Sequence, residues 1–380
     1  MLSQKRGYPL FCPAPPDHHP NINSGIAIGD VGCIDEGEFD YLFNVFSSCP
    51  DGFNSLDMND PNRLNTTSEV ECHDIDPGSY FSSTVEVQHE KDDTLEYLFH
   101  CSGTCGAILA LPRGAYQRRL KDGGSRLRGY VVENSRNWYQ HVHTTLGRDI
   151  DNGKLFLVTG YEKARSWGMA HYSEHLGDQK FTLGFRDAPG STGYAWSSAA
   201  APSQVQWKKH VPEYGPSNQT IFLRGWTISL APKVWREEFS GANSSTELVP
   251  PLSSRPPHLQ AGMGLNPSSV VLETTKTCNP SVLMNAYISR RVPSATVVLS
   301  HTDDWTTLLE KDPEADPLSP TDLYENIATH FKVVSKDGAA FLEPNETSST
   351  EREIVGPNDE SSYKGLGAFL SEILLTERPA

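Results

Sequence analysis

The sequence predicts an α+β protein with a mixed, largely antiparallel sheet, one long amphipathic helix and a smaller C-terminal α/β part. Three observations indicate this class. Short apolar or alternating segments recur through the first 240 residues, as they do in strands. The segment 125–147 has helical periodicity instead. Beyond residue 265, segments with helical and strand-like patterns alternate, which is typical of a small α/β unit.

The strands predicted before the long helix are short. Segments 25–34 and 38–46 form a predicted pair, because Phe39, Tyr41 and Phe43 alternate onto one face and the residues between the segments suit a turn. Three more strands are predicted at 84–88, 95–99 and 106–111.

The long helix is indicated by large apolar residues spaced four or seven apart, which places them on one stripe. They are Leu127, Val131, Trp138, Val142 and Leu146. Ser125 is the predicted N-cap and Gly147 the predicted left-handed C-terminal cap. The run Leu155–Val158 that follows is apolar without alternation, so it predicts a strand covered on both faces.

The remaining elements are predicted from the same patterns. Strands are expected at 180–185, 220–230, 295–300 and 339–342. Helices are expected at 234–239, 281–291, from residue 304 and at 321–334.

Composition divides the chain into four predicted segments. Residues 24–240 form the β-rich core domain, and residues 241–264, rich in proline and serine, form a linker or loop. Residues 265–345 form the small α/β part. Residues 346–380 are a polar tail, with a terminal amphipathic helix at 362–375.

The charge and cysteine content limit the function classes. The formal net charge is −16, which repels phosphate backbones and anionic lipid, so nucleic acid is excluded as a partner and membrane binding is disfavoured. The N-terminal residues have no signal-peptide apolar core, and seven cysteines are scattered without a secreted framework. These observations predict a cytoplasmic location.

One short motif suggests zinc. His171, Glu174 and His175 spell H-x-x-E-H, which on a helix would place two imidazoles and a general base together. The surrounding pattern is strand-like, however, and on a strand the two histidines would stand about 13 Å apart. The zinc interpretation is therefore disfavoured.

A second group of polar residues follows an apolar strand. His301, Asp303 and Asp304 are the residues that a metal-assisted hydrolase would use at the end of a strand. The favoured alternative is that Asp303 caps the helix beginning at Asp304. No cofactor is predicted, and a divalent metal at these three residues is the alternative.

Several segments together resemble a large family of uncharacterised cytoplasmic proteins of mushroom-forming fungi (Agaricomycetes). The segments are Ile28–Gly32, Leu42–Asn44, Gly106–Pro112, Leu155–Gly160, Ser166–Gly168 and Ser300–Trp305. The resemblance implies a fungal lineage and no agreed activity. It includes Asp303 and Asp304, whereas the family usually lacks His171 and His175, which further weakens the zinc interpretation.

A looser likeness concerns the order of the elements. Across 25–239, short strands, a long helix and two strong strands are similar in order to gasdermin-type pore-forming domains. This likeness implies a membrane-permeabilising effector, but no residue-specific motif carries it. The acidic balance of the chain also departs from the basic lipid-binding patches that such proteins need.

The leading prediction is a non-enzymatic cytoplasmic module that recognises a protein or a small-molecule ligand. No catalytic set is assembled in the sequence, whereas the core patterns are strong. Four aromatic residues are candidates for a contact surface, although core packing is their commoner role. They are Trp167, Tyr194, Trp196 and Trp207. The alternatives are the membrane-permeabilising effector and the metal-assisted hydrolase.

Overall fold

The computed structural model describes most of the chain up to residue 345. The described ranges are 4–46, 70–82, 88–91, 97–101, 106–121, 127–172, 181–187, 194–198, 206–207, 217–239, 280–308 and 320–345. Within these ranges, the residues up to Glu343 belong to one compact unit.

The elements of the described residues run in the following order. The N-terminal strands are β1 (Tyr8–Pro9), β2 (Asp30–Asp35), β3 (Glu38–Asn44), β4 (Val70–Ile75), β5 (Ser79–Ser82), β6 (Gln88–Lys91), β7 (Tyr97–Cys101), β8 (Gly106–Leu111) and β9 (Ala115–Leu120). The central elements are α1 (Leu127–Thr144), β10 (Leu155–Ala164), β11 (Gly168–Tyr172), β12 (Phe181–Asp187), β13 (Tyr194–Ser198), β14 (Gln206–Trp207) and β15 (Gln219–Leu230). The C-terminal elements are α2 (Pro232–Phe239), α3 (Pro280–Arg291), β16 (Val297–His301), α4 (Thr302–Thr306), α5 (Pro320–His330), β17 (Phe331–Lys336) and β18 (Ala339–Pro344).

Three sheets form the fold. The main sheet has ten strands, with the central order β17-β18-β16-β15-β10-β2-β3, and β1, β9 and β4 pair outside that path. The second sheet has the order β14-β11-β8-β5 and the third β13-β12-β7-β6. β16 and β18 pair in parallel, whereas β10 pairs antiparallel with β15, β2 and β9. The predicted α+β class with a mixed, largely antiparallel sheet is confirmed.

Strands β10 and β15 lie at the centre of the main sheet. Every residue of β10 is buried, as the unbroken apolar start of that strand predicted. Helix α1 packs its stripe against one face of the pair, together with α2. Helices α3 and α5 enclose a second core with Trp305, strand β16 and strand β18. The face of β10 and β15 turned away from α1 carries Phe156, Val158 and Leu223, which pack against Leu10, Ile26 and Phe39, so both faces of the pair are covered.

Helix α1 confirms most of its predicted features. Leu127, Val131, Trp138 and Val142 are buried, and Gly147 has the left-handed φ of +62° expected of a C-terminal cap. Leu146 differs from the prediction. The helix ends at Thr144, before Leu146, and the Leu146 side chain is exposed. The predicted N-cap Ser125 lies outside the described residues.

The C-terminal part contains a strand that the sequence interpretation missed. The helix predicted at 321–334 ends at His330, and β17 begins at the next residue. β17 and β18 flank Asp337 and Gly338, whose φ angles of 52° and 79° fit a hairpin turn of the Asp-Gly type. That dipeptide was the signal available in the sequence.

The segments predicted from composition meet in the main sheet. β16, from the 265–345 segment, pairs antiparallel with β15, from the 24–240 segment. The linker at 241–264, the tail at 346–380 and the helix predicted at 362–375 lie outside the described residues. The strand predicted at 84–88 also falls there, except for Gln88, which begins β6.

The buried hydroxyl of Tyr139 provides a test of how α1 is attached. It donates to the Ile228 carbonyl at 2.7 Å and accepts from the Gly153 amide at 2.9 Å. Replacing Tyr139 with Phe leaves both backbone groups unpaired, so we expect a loss of about 1–3 kcal/mol in the free energy of unfolding, measured by denaturant titration. Tyr130→Phe is the control, because the Tyr130 hydroxyl has no hydrogen-bond partner among the described residues. An equal effect of the two substitutions would contradict this attachment.

Two glycines test the packing of β15 and the exposure of α1. A Cβ on Gly225 would lie 2.1 Å from the Leu157 carbonyl oxygen, whereas a Cβ on Gly129 would meet nothing within 4 Å. We expect Gly225→Ala to lower the free energy of unfolding by about 2–3 kcal/mol. Gly129→Ala should raise it by about 0.5–1 kcal/mol, because alanine favours the helix. Thermal or chemical unfolding measures both, and a neutral Gly225→Ala would show that the two strands are less tightly packed.

Candidate functional site

The residues His301, Asp303 and Asp304 lie where β16 passes into α4. His301 is the N-cap residue: its Nδ1 accepts from the Asp303 amide at 3.1 Å. Asp304 completes the capping box, since its Oδ2 accepts from the His301 amide at 2.8 Å. The helix therefore begins at Thr302, and the prediction that Asp303 caps a helix starting at Asp304 is wrong. The cap lies two residues earlier, because the imidazole nitrogen can accept the amide that an Asp or Ser side chain usually would.

The imidazole of His301 is buried and occupied on both nitrogens. Because Nδ1 is an acceptor, Nε2 carries the hydrogen in the neutral ring and donates to the Thr159 hydroxyl, at 2.8 Å. The ring also packs edge-on against Trp226, with centroids 4.9 Å apart. His301 therefore joins β16 to both central strands.

Asp303 forms an ion pair with Arg224 of β15. The Nη2 atom of Arg224 donates to the Lys5 carbonyl at 2.9 Å. Arg224 therefore also attaches the segment that precedes β1. Burial on its own would raise the pKa of Asp303, but the positive charge that His301 carries when its ring is protonated, together with the ion pair to Arg224, outweighs burial and holds that pKa well below its usual range. Asp303 therefore stays ionised and paired.

Asp304 is shifted in the opposite direction. Burial raises its pKa from 3.8 to about 6, although a protonated His301 ring and the hydrogen bond from the His301 amide favour the charged form. This is the environment of a carboxyl group that caps a helix from inside the fold.

The three residues converge, and their polar atoms are taken up by contacts with one another and with Thr159 and Arg224. Among the described residues, no group of three or more His, Cys, Asp and Glu side chains has the arrangement needed to hold a metal ion. None of the three cavities identified among the described residues is lined by His301, Asp303 or Asp304. The chemistry that this arrangement supports directly is helix capping and the attachment of α4 to the sheet.

Of the three candidate metal ligands in the H-x-x-E-H motif, His171 is among the described residues. His171 lies on β11 with an exposed side chain, opposite Ala107 of β8. Glu174 and His175 lie outside the described residues. His171 is thus on a strand, as the pattern around the motif indicated.

His171 lies instead at the edge of an apolar cavity of about 510 Å³. One wall is formed by two cross-strand pairs of the second sheet, Ala107 with His171 and Leu109 with Met169. The opposite wall is formed by the N-terminal segment and β15. Its residues are Pro9, Leu10, Phe11, Ile221 and Phe222. The volume and the mainly apolar lining are those of a small-molecule site.

Backbone hydrogen bonds fix the N-terminal wall of this cavity. The Leu10 amide donates to the Ile221 carbonyl at 3.0 Å, and the Phe11 amide donates to the Gly37 carbonyl at 2.8 Å. Glu36, in the turn between β2 and β3, lines the cavity and is exposed. Glu36 and His171 are the two ionisable side chains among the lining residues.

The sequence interpretation missed this cavity, except for His171. Its residues come from segments up to about 200 positions apart, and none carries a recognisable motif. The aromatic residues proposed as a contact surface take other places. Trp167 is buried and its Nε1 donates to Gln219 at 3.2 Å, while Tyr194 and Trp196 pack against the core between the second and third sheets. Trp207 lies on β14, and its side chain is not among the described parts of the structure.

No protein-family model matches the chain, and a search of the curated proteins finds no significant match. The fungal-family resemblance and the gasdermin-like order of elements therefore stay predictions. Among the described helices, none is both long and apolar enough to cross a lipid bilayer.

The raised pKa of Asp304 predicts a pH dependence of stability. In the unfolded chain this carboxyl loses its proton near pH 3.8, whereas in the folded protein it does so near pH 6. Between these values the folded state holds more protons, so the contribution of Asp304 to stability falls as the pH rises. We expect wild type to gain about 1–2 kcal/mol relative to Asp304→Asn on going from about pH 7 to about pH 4.

Urea unfolding at each pH measures this difference, with the exposed Asp151→Asn as the control variant. A wild-type advantage that stays constant across the range would show that Asp304 titrates normally.

Proposed function

We propose that this protein is a non-enzymatic, cytoplasmic recognition module that binds a small, mainly apolar molecule in the cavity beside His171. The observation that carries the proposal is the 510 Å³ space between the second sheet and the N-terminal segment. Volumes of about 300–1,000 Å³ with apolar walls are usual for ligand sites. Scattered exposed apolar residues such as Ile22 do not form a comparable surface.

The apolar side chains that line the cavity favour a ligand whose main part is apolar. Leu10, Ile221 and Phe222 are each at most 1% exposed, so the ligand would contact side chains already withdrawn from water. Placing apolar surface there is favourable by roughly 25 cal/mol per Å². Glu36 and His171 at the exposed edge would meet a hydrogen-bonding head group on the ligand.

The thiol of Cys33 supports the cytoplasmic part of the proposal. It is a buried free cysteine in β2, and burial raises its pKa to about 12. A thiol kept neutral and enclosed is compatible with a reducing compartment and with a role in packing.

The proposal does not extend to metal-assisted hydrolysis or to membrane permeabilisation. His301, Asp303 and Asp304 are engaged by Thr159, Arg224 and the backbone of the capping box. The acidic net charge of −16 disfavours an anionic lipid surface.

Fluorescence titration with N-phenyl-1-naphthylamine, a neutral apolar probe, tests the proposal. We expect saturable binding of one probe per chain. Ala107→Leu fills part of the cavity and should weaken binding at least fivefold, whereas Ala195→Leu, on β13 and outside the cavity, should leave it unchanged. Circular dichroism would verify that both variants fold. Equal binding by wild type and folded Ala107→Leu would place the probe elsewhere and contradict the proposal.

A further inference from the structure

One wall of the cavity beside His171 is formed by a β-bulge. Two successive residues of β10 pair with Phe222 and Thr220, which leaves Ile221 as an extra residue of β15. Neighbouring side chains of a regular strand point to opposite faces, whereas a bulge re-aims one of them. Ile221 and Phe222 accordingly both line the cavity and belong to the same apolar cluster. The irregularity of the strand therefore widens the apolar wall.

The charges at the edge of the cavity have one sign. Of the described lining residues, Glu36 is acidic, His171 carries an imidazole, and none is a lysine or an arginine. Glu36 is exposed, and among the described residues its carboxylate forms no hydrogen bond or ion pair. A ligand head group at this edge therefore meets a negative charge that no lining cation neutralises.

The residues beside Glu36 reinforce this sign. The next residue but one, Glu38, is also exposed. The nearby cation Lys154 is engaged by Asp35, since its Nζ lies 3.5 Å from Oδ1 of that residue. The net charge of −16 adds a weaker potential in the same direction. A carboxylate or phosphate head group would be repelled at this edge, whereas an ammonium group would be attracted.

We infer that the apolar cavity selects a cationic amphiphile, a molecule with an alkyl or aryl body and a protonated primary amine. The body lies between Leu109 and Phe222, and the ammonium group faces Glu36. A neutral His171 ring can accept a hydrogen bond from the same group, because one of its nitrogens carries a lone pair. The inference rests on the proposed function, since it names the class of ligand for the same cavity.

Displacement of N-phenyl-1-naphthylamine by octylammonium, 1-octanol and octanoate tests the inference, with calorimetry as the direct measurement. The three compounds share one chain and differ in the charge of the head group. At low ionic strength we expect octylammonium to bind at least about fivefold more tightly than octanoate, with 1-octanol between them. Added salt should reduce this preference, because the charges at the edge are exposed. Octanoate binding as tightly as octylammonium, or more tightly, would overturn the inference.

Butylammonium tests whether the amine is merely attracted to an acidic surface. It carries the same charge on half the chain, so it should bind at least about tenfold more weakly than octylammonium. Similar binding of the two amines would place them on the surface and overturn the inference.

Variants test the role of Glu36. Glu36→Gln should weaken octylammonium binding at least about threefold and leave 1-octanol binding unchanged. Glu38→Gln, which makes the same charge change in the same hairpin at a residue that does not line the cavity, is the matched control and should bind octylammonium like wild type. Equal effects of the two substitutions would show attraction by the general charge and overturn the inference.

Ala107→Leu should weaken the binding of all three octyl compounds, because it fills part of the cavity. Undiminished octylammonium binding by the folded variant would place the amine elsewhere and overturn the inference.

The inference and the proposed function fail in different ways. If the neutral probe and 1-octanol bind but octylammonium has no advantage over octanoate, the cationic head group is wrong and the apolar site remains. If neither the probe nor any octyl compound binds, the apolar site itself is wrong and both proposals fall.

Discussion

The antiparallel pairing of β10 with β15 is the interaction on which the rest of the fold depends. β2 and β9 pair with β10, while β1 and β16 pair with β15, so both halves of the chain join the sheet through these two strands. Strand β10 is buried throughout and nevertheless carries Glu162 and Lys163. Burial lowers the pKa of Lys163 to about 7, and its Nζ donates to the Ser24 carbonyl at 2.5 Å. Glu162 is paired with Arg6. The acidic and the basic side chain of the central strand are thus paired with residues that precede β2: Glu162 with Arg6, and Lys163 with the Ser24 carbonyl.

Those contacts explain where the apolar cavity lies. The segment from Arg6 to Phe11 runs antiparallel beside the first half of β15 and forms one wall of the apolar cavity, and its Arg6 also lines a second cleft with Gln117 and Phe81. The cluster of His301, Asp303 and Asp304 is used to cap α4 and to bind Arg224. Buried polar groups such as Glu162 therefore hold the N-terminal residues that line the cavity, and the cavity itself is left for a ligand.

The features that sequence predicted are those set by neighbouring residues. The apolar run of β10, the stripe of α1 and the cap at Gly147 each depend on a few positions in a row, and local periodicity reveals them. The features that sequence could not predict depend on distant partners. The contact of Arg6 with Glu162 spans 156 positions, and that of His301 with Thr159 spans 142. The cavity walls follow from such contacts, and so does the orientation of the His301 ring toward Thr159. β17 is different, because the Asp-Gly turn after it was visible in the sequence.

Hydrogen–deuterium exchange of the intact chain tests most directly whether the paired central strands hold the fold together. The amides of β10 and β15 should exchange only through global unfolding, with the same free energy as that measured by urea titration. The Leu10 amide, bonded to the Ile221 carbonyl of β15, should be protected nearly as well. Strand β4, which among the described strands pairs only with β9, should exchange much sooner. Faster exchange in β10 and β15 than in β4 would contradict the central role assigned to them.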